Sequence, residues 1–322
     1  QTLTAARDAW RASREPYLQT EVYRFYDGPI DNPDTGPEGL LNAWPLDENY
    51  IDYTATEAMA GIVNDTATTI DGASLESLNE KDGEKNLATG YHAIEFLLWG
   101  QDTSDTGPGE RPHTDFLTDG SGTAANQDRR GQYVTVSSTL MLSHLQQMVD
   151  AWSAGSQNYR QEFEALDNAE AMRRILTGMI VLSGFETGGE RLQTALDSGE
   201  QEDEHSCFSD NTHRDMIQDI QGIQNVWLGS YTRIDGSVVS GAGVKDVVEA
   251  TDTMLAGEVT DKIAESLTLA NAMQVPFDQE IKPGNTEGNA RVRALVVALT
   301  ELESLLEQVF LKYGLEIPQT EE

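Results

Sequence analysis

Apolar residues recur at helical spacing through most of this chain, and the strict alternation of a half-buried strand is scarce. From Thr4 to about Tyr26, the residues Ala6, Trp10, Tyr17, Val22, Phe25 and Tyr26 fall near one side, with Pro16 inside the run as a kink or restart. The same period predicts helices over Glu84–Leu98, Gln132–Trp152, Glu170–Leu196, His213–Leu228, Val244–Met273 and Asn289–Tyr313. Gly100 and Pro276 stand where two of these should stop, and Pro283-Gly284 marks a turn. Asp27–Leu46, with four prolines, reads as loop, and Thr232–Gly236 as a short extended piece or a turn. An all-α fold of two helical bundles follows. The expected division is 1–130 and 131–322, with helix exchange between the halves allowed for.

The halves show a loose symmetry. One helix runs into Asp27-Gly28-Pro29-Ile30-Asp31 and another into Tyr231-Thr232-Arg233-Ile234-Asp235-Gly236, and each half carries a polar island with a histidine beside acids. With 322 residues there is chain enough for two cores. The single cysteine, Cys207, excludes an intrachain disulfide and a paired-cysteine zinc site. No stretch reaches the roughly 18 apolar residues of a membrane span. The start, Gln1-Thr2-Leu3-Thr4, lacks a signal-like segment and suggests a trimmed, mature chain. A net charge of −34 repels nucleic acid and anionic lipid and attracts cations.

His92 and Glu95 lie three apart, on one face of a helix and one turn apart. Their imidazole and carboxylate can converge on one cation, and such a pair suits iron or zinc better than calcium. The competing reading is an ion pair or a cap. Phe96-Leu97-Leu98-Trp99 follows directly, so the pair sits in an apolar segment, where a buried glutamate needs a partner.

A second cluster, Glu202 to His213, holds two of the five histidines and four acids. His205 and Asp210 are its candidate ligands. Asn211 or Thr212 reads as the cap of the next helix. Glu186 and Glu190 are further candidates, with Arg191 as an alternative partner for Glu190. Arg14, Glu21 and Arg24 could anchor a helix or orient the metal ligands. His113 and His144 read as ordinary. No GxSxG, phosphate-binding glycine loop or HExxH is present.

Gly90-Tyr91-His92-Ala93-Ile94-Glu95 forms a GxHxxE motif, extended by Phe96-Leu97-Leu98-Trp99-Gly100-Gln101-Asp102. Arg14–Glu21, Asp27–Asp31, Gly107–Pro112, Glu202–Asp215 and Pro276-Phe277-Asp278-Gln279 accompany it. On these residues the chain resembles the imelysin family, or insulin-cleaving membrane proteases, with their iron-regulated relatives. The resemblance implies two helical domains, export to the periplasm or outer surface, and iron uptake with membrane-associated partners. It implies a metal site carried by His92 and Glu95, holding iron with zinc as the alternative. It also implies a peptidase description, for which the sequence singles out no general base. The expected ligand set is His92, Glu95, Glu190, His205 and Asp210, meeting between the bundles. A metallopeptidase on the same residues is the alternative, and a binding module with His92 and Glu95 merely structural is a third reading.

Overall fold

The computed structural model describes residues 2–155 and 157–315. Its longer helices are α1 (Leu3–Leu18), α2 (Gly90–Trp99), α3 (Gln127–Trp152), α4 (Asn168–Ile180), α5 (Thr212–Leu228), α6 (Thr253–Ala272) and α7 (Thr286–Lys312). The expected all-α class holds. One antiparallel hairpin, β1 (Ser230–Thr232) with β2 (Val238–Ser240), pairs Tyr231 with Val239.

Helix ends follow local chemistry. α1 stops two residues past Pro16, and a 3-10 turn, Glu21–Tyr23, replaces the rest of the predicted run. Asp167 starts α4 by accepting the Ala169 and Glu170 N–H groups, and Asp252 starts α6 through Leu255. α4 continues without interruption as a π-helix, Val181–Gln193, and closes with an α-turn, Thr194–Ser198.

α2 begins six residues later than the sequence suggested. Gly90 has φ +84°, and a Cβ there would stand 2.6 Å from the Leu41 carbonyl oxygen. Only glycine combines that dihedral with that approach. The helix ends where expected, on Gly100, whose N–H donates to the Phe96 carbonyl at 2.7 Å.

The chain divides into two compact units, neither continuous in sequence. Unit 1 comprises Gln1–Arg11, Pro29–Arg160 and His205–Ser209, and unit 2 comprises Ala12–Gly28, Gln161–Glu204 and Asp210–Glu322. In unit 1, α2 is buried along its whole length. The Trp10 indole N–H donates to the Tyr91 carbonyl and the Tyr133 hydroxyl to the Ala88 carbonyl, each at 2.9 Å. Arg111 and Arg130 converge on the buried Asp52 at 2.8 and 2.5 Å. Tyr53 donates to Asp115, and burial first, then that hydrogen bond, push its phenol up to about 12.

Unit 2 is built around α4 with its π continuation, α5, α6 and α7. Leu176, Met179, Leu182, Trp227, Val259, Ile263, Leu302 and Phe310 form one apolar cluster. Met216, Ile220, Phe277, Val292, Leu295 and Leu299 belong to another. Each such side chain contributes about 1.5–3 kcal/mol by leaving water. Gly178 admits the neighbouring backbone, since a Cβ there would lie 2.3 Å from the Val22 carbonyl oxygen.

Candidate metal centre

α2 presents His92 and Glu95 one turn apart, 1% and 0% exposed. They do not converge side by side on open space. His92 Nδ1 lies 2.9 Å from Glu95 Oε2. An ionised carboxylate only accepts, so the hydrogen is assigned to Nδ1 and the ring's lone pair to Nε2. The other carboxylate oxygen, Oε1, accepts from the Ser209 N–H at 3.0 Å and the Ser209 hydroxyl at 2.6 Å. Both oxygens of Glu95 therefore have donors within the protein.

The stretch His205–Ser209 is built into unit 1 at several points. His205 sets its ring 4.9 Å from that of His92, at 72° between planes. Phe208 packs on Phe96 at 5.0 Å and on Trp44 at 5.8 Å, and Trp44 covers His92 at 4.9 Å. The Phe208 carbonyl accepts from Gly109 N–H at 2.9 Å and the Ser209 carbonyl from Arg11 Nη2 at 3.0 Å. The sequence grouped His205 with its acidic neighbours, whereas the fold delivers it to the His92 ring.

Metal–nitrogen bonds of about 2.1 Å place two imidazole centres on one ion about 5 Å apart. The His92–His205 separation meets that requirement. Among the described residues no group of three or more His, Cys, Asp or Glu side chains is arranged to hold a metal. Both oxygens of Glu95 are already engaged, one by His92 and the other by Ser209. The residues that could hold an ion here are the two imidazoles, with Glu95 orienting one of them.

The other sequence candidates lie in unit 2. Glu190 is exposed on the π-helix, while its neighbour Arg191 is buried. Asp210 is 6% exposed with φ +55°. Arg14 pairs with Asp215 at 2.7 Å, which also accepts from Asn211 at 2.9 Å. Asn211 is the residue before α5, with its side chain turned to Asp215 rather than to a backbone N–H. Glu21 accepts from Arg191 at 2.8 Å and Arg24 at 3.4 Å. Of the residues read as ordinary, His144 pairs with Glu76 at 2.9 Å.

Sequence reasoning passed over Asp219. It is fully buried one turn after Asp215, and accepts from Arg191 at 2.6 Å. Burial foremost pushes its carboxyl up to about 8; Glu21 and Asp215 add to the rise, against Arg191 and Arg14. Asp215, Asp219, Glu21 and Glu186 face Arg14, Arg24 and Arg191 in one network of acids and arginines. Apolar flanks at Met216, Ile217 and Ile220 were the available signal, of the same kind that marked His92 and Glu95.

No helix among the described residues is long and apolar enough to cross a membrane. The imelysin (peptidase M75) family model matches residues 1–306. A curated relative, iron-regulated protein A of Synechococcus elongatus, is 23% identical over 315 residues, covering 95% of this chain and 73% of that protein. In fold the chain is similar to the crystal structure of a candidate iron-regulated protein A precursor from Parabacteroides distasonis. The TM-score is 0.70 at 18% identity, over 96% of this chain and 83% of that one. At that identity the likeness concerns the fold alone, and it agrees with the helical architecture expected from the sequence.

Proposed function

Because the chain belongs to the imelysin family, we propose that it is an exported metal-binding protein of iron acquisition, acting in the periplasm or at the outer surface. The observation that carries this reading is the buried imidazole pair His92–His205, 4.9 Å apart, with Glu95 hydrogen-bonded to His92 Nδ1. Imidazole donors favour iron or zinc over calcium. The iron-regulated protein names of two relatives favour iron between those two, and the word precursor in one of them supports export. The net charge of −34 draws cations toward the surface and suits a partner other than nucleic acid. A membrane-associated component of iron uptake is the partner class proposed.

Binding is favoured over hydrolysis by the geometry of Glu95. A metallopeptidase needs a base that can accept a proton from water. Glu95 already accepts from His92, Ser209 N–H and Ser209 Oγ–H. Ser209 does not form a serine-hydrolase arrangement either, since its hydroxyl donates to the carboxylate rather than to the imidazole.

Anaerobic titration of the purified chain with ferrous iron tests the assignment, with zinc as the comparison. About one ion per chain is expected, lost in the His92→Ala/His205→Ala double variant while helicity is kept. Undiminished iron binding by that variant would remove the site from the reading. Chelator-sensitive cleavage of a protein substrate, abolished by the same variant, would favour the peptidase alternative.

A further inference from the structure

The G-x-H-x-x-E motif of α2 is not self-sufficient in this fold. Its carboxylate has one oxygen toward His92 and one toward a residue 114 positions later in the chain. Ser209 meets Glu95 Oε1 with two donors, its backbone N–H at 3.0 Å and its hydroxyl at 2.6 Å. Two donors on one oxygen fix the rotation of the carboxylate as well as its position. The plane of Glu95 then aims Oε2 at His92 Nδ1.

The donor pair is itself held. Ser209 O accepts from Arg11, Phe208 O accepts from Gly109 N–H, and the Phe208 ring is wedged between Phe96 and Trp44. Ser209 is 1% exposed, so bulk water does not compete for Glu95 Oε1.

We propose that Ser209 is a positioning residue, which orients Glu95 so that His92 is kept as the Nδ1–H tautomer with its lone pair at Nε2. The ring can present a nitrogen to an ion only through the atom that Glu95 does not engage. Ser209 therefore decides which nitrogen of His92 is the ligand, and in which direction it points. Its effect on metal binding rests on the reading above, whereas its effect on the tautomer does not.

The test uses two measurements on the same proteins. Long-range proton–nitrogen NMR of the histidine side chains is recorded on the metal-free chain, at a pH where the His92 ring is neutral. The native protein should show His92 in the Nδ1–H form. Ser209→Ala should give a mixture of the two tautomers, as should Glu95→Gln more severely. Ser209→Thr, which keeps the hydroxyl, should restore the native pattern. Ser209→Cys, nearly isosteric with only a weak S–H donor, gives the same readout if Ser209→Ala folds poorly. Ferrous iron affinity is then measured on each, and the loss of an outer hydrogen bond of this kind is expected to weaken it about tenfold. A native-like His92 tautomer in both Ser209→Ala and Ser209→Cys would overturn the proposal. A native chain that binds no iron, with the tautomer change still seen in the Ser209 variants, would overturn the metal reading and leave the role of Ser209 standing.

Discussion

At position 90 a methyl group would meet the Leu41 carbonyl at 2.6 Å on a backbone already at φ +84°. Gly90→Ala is therefore expected to cost about 2–4 kcal/mol, from the dihedral and the clash together. A lower denaturant midpoint with an unchanged slope would show it, and a shift under about 0.5 kcal/mol would contradict it. The glycine of the motif is thus explained by packing, independently of any ligand. Asp219 governs a different observable. Burial foremost raises its carboxyl in the folded chain to about 8, from an ordinary value of 3.8. Between those values the folded state binds more protons, so this group's contribution makes stability fall as pH rises. Asp219→Asn mimics the protonated form and should flatten the dependence of Tm on pH, leaving the variant the more stable of the two at pH 9. Parallel Tm-against-pH curves for the two proteins would be the contrary result. Such residues were hard to see in sequence because a one-letter code does not distinguish a buried aspartate from a solvated one. His92 and Glu95 stood out because their flanks are apolar on both sides. Ser209 was invisible as a partner of Glu95, since nothing local connects positions 95 and 209.

Helix α3 starts at Gln127, five residues before the expected Gln132, whereas α5 and α7 were legible nearly to their ends. The short helices Glu38–Leu41, Glu48–Ile51 and Gly61–Asn64 were not, because four residues are too few for a 3.6 period to register. Glu170–Leu196 was legible as helix, but its change from α to π at Val181 was not, because apolar spacing constrains the face of a helix more than its winding. That π stretch carries Arg191 inward to Asp219 and Glu21, at 2.6 and 2.8 Å. Long π segments are rare, and this one is tied down by a buried ion network. Arg191→Met removes the short charge-assisted donor of both Asp219 and Glu21 from a buried network and should destabilise the chain by about 3–5 kcal/mol. Adding Asp219→Asn should recover part of the loss, because the two sites share one network. Strict additivity of the two changes in a double-mutant cycle would contradict the coupling.

The whole molecule carries 55 acidic against 21 basic side chains. The acids outnumber the bases by 34, so self-repulsion acts against the compact state. Monovalent salt shortens the range of that repulsion to about 8 Å at physiological strength. Tm should therefore climb steeply from low salt to about 0.15 M and more gently beyond it. A melting temperature indifferent to salt would mean that the surface charges are already compensated. The charge was legible from composition alone, and so was the helical class. The assignment of segments to units was less legible, because Ala12–Gly28 and His205–Ser209 join units that the linear order does not indicate.

That discontinuity sets an order of events during synthesis. Residues 29–160 leave the ribosome well before residue 205, and early segments begin to fold as they emerge. α2 can then form with His92 and Glu95 in place while both His205 and Ser209 are still untranslated. On the proposed reading, a nascent chain passes most of its production unable to retain an ion. The ability arrives in one step, when five late residues join a unit that is otherwise complete. A chain interrupted after Arg160 would keep the entire G-x-H-x-x-E signature and none of what closes it.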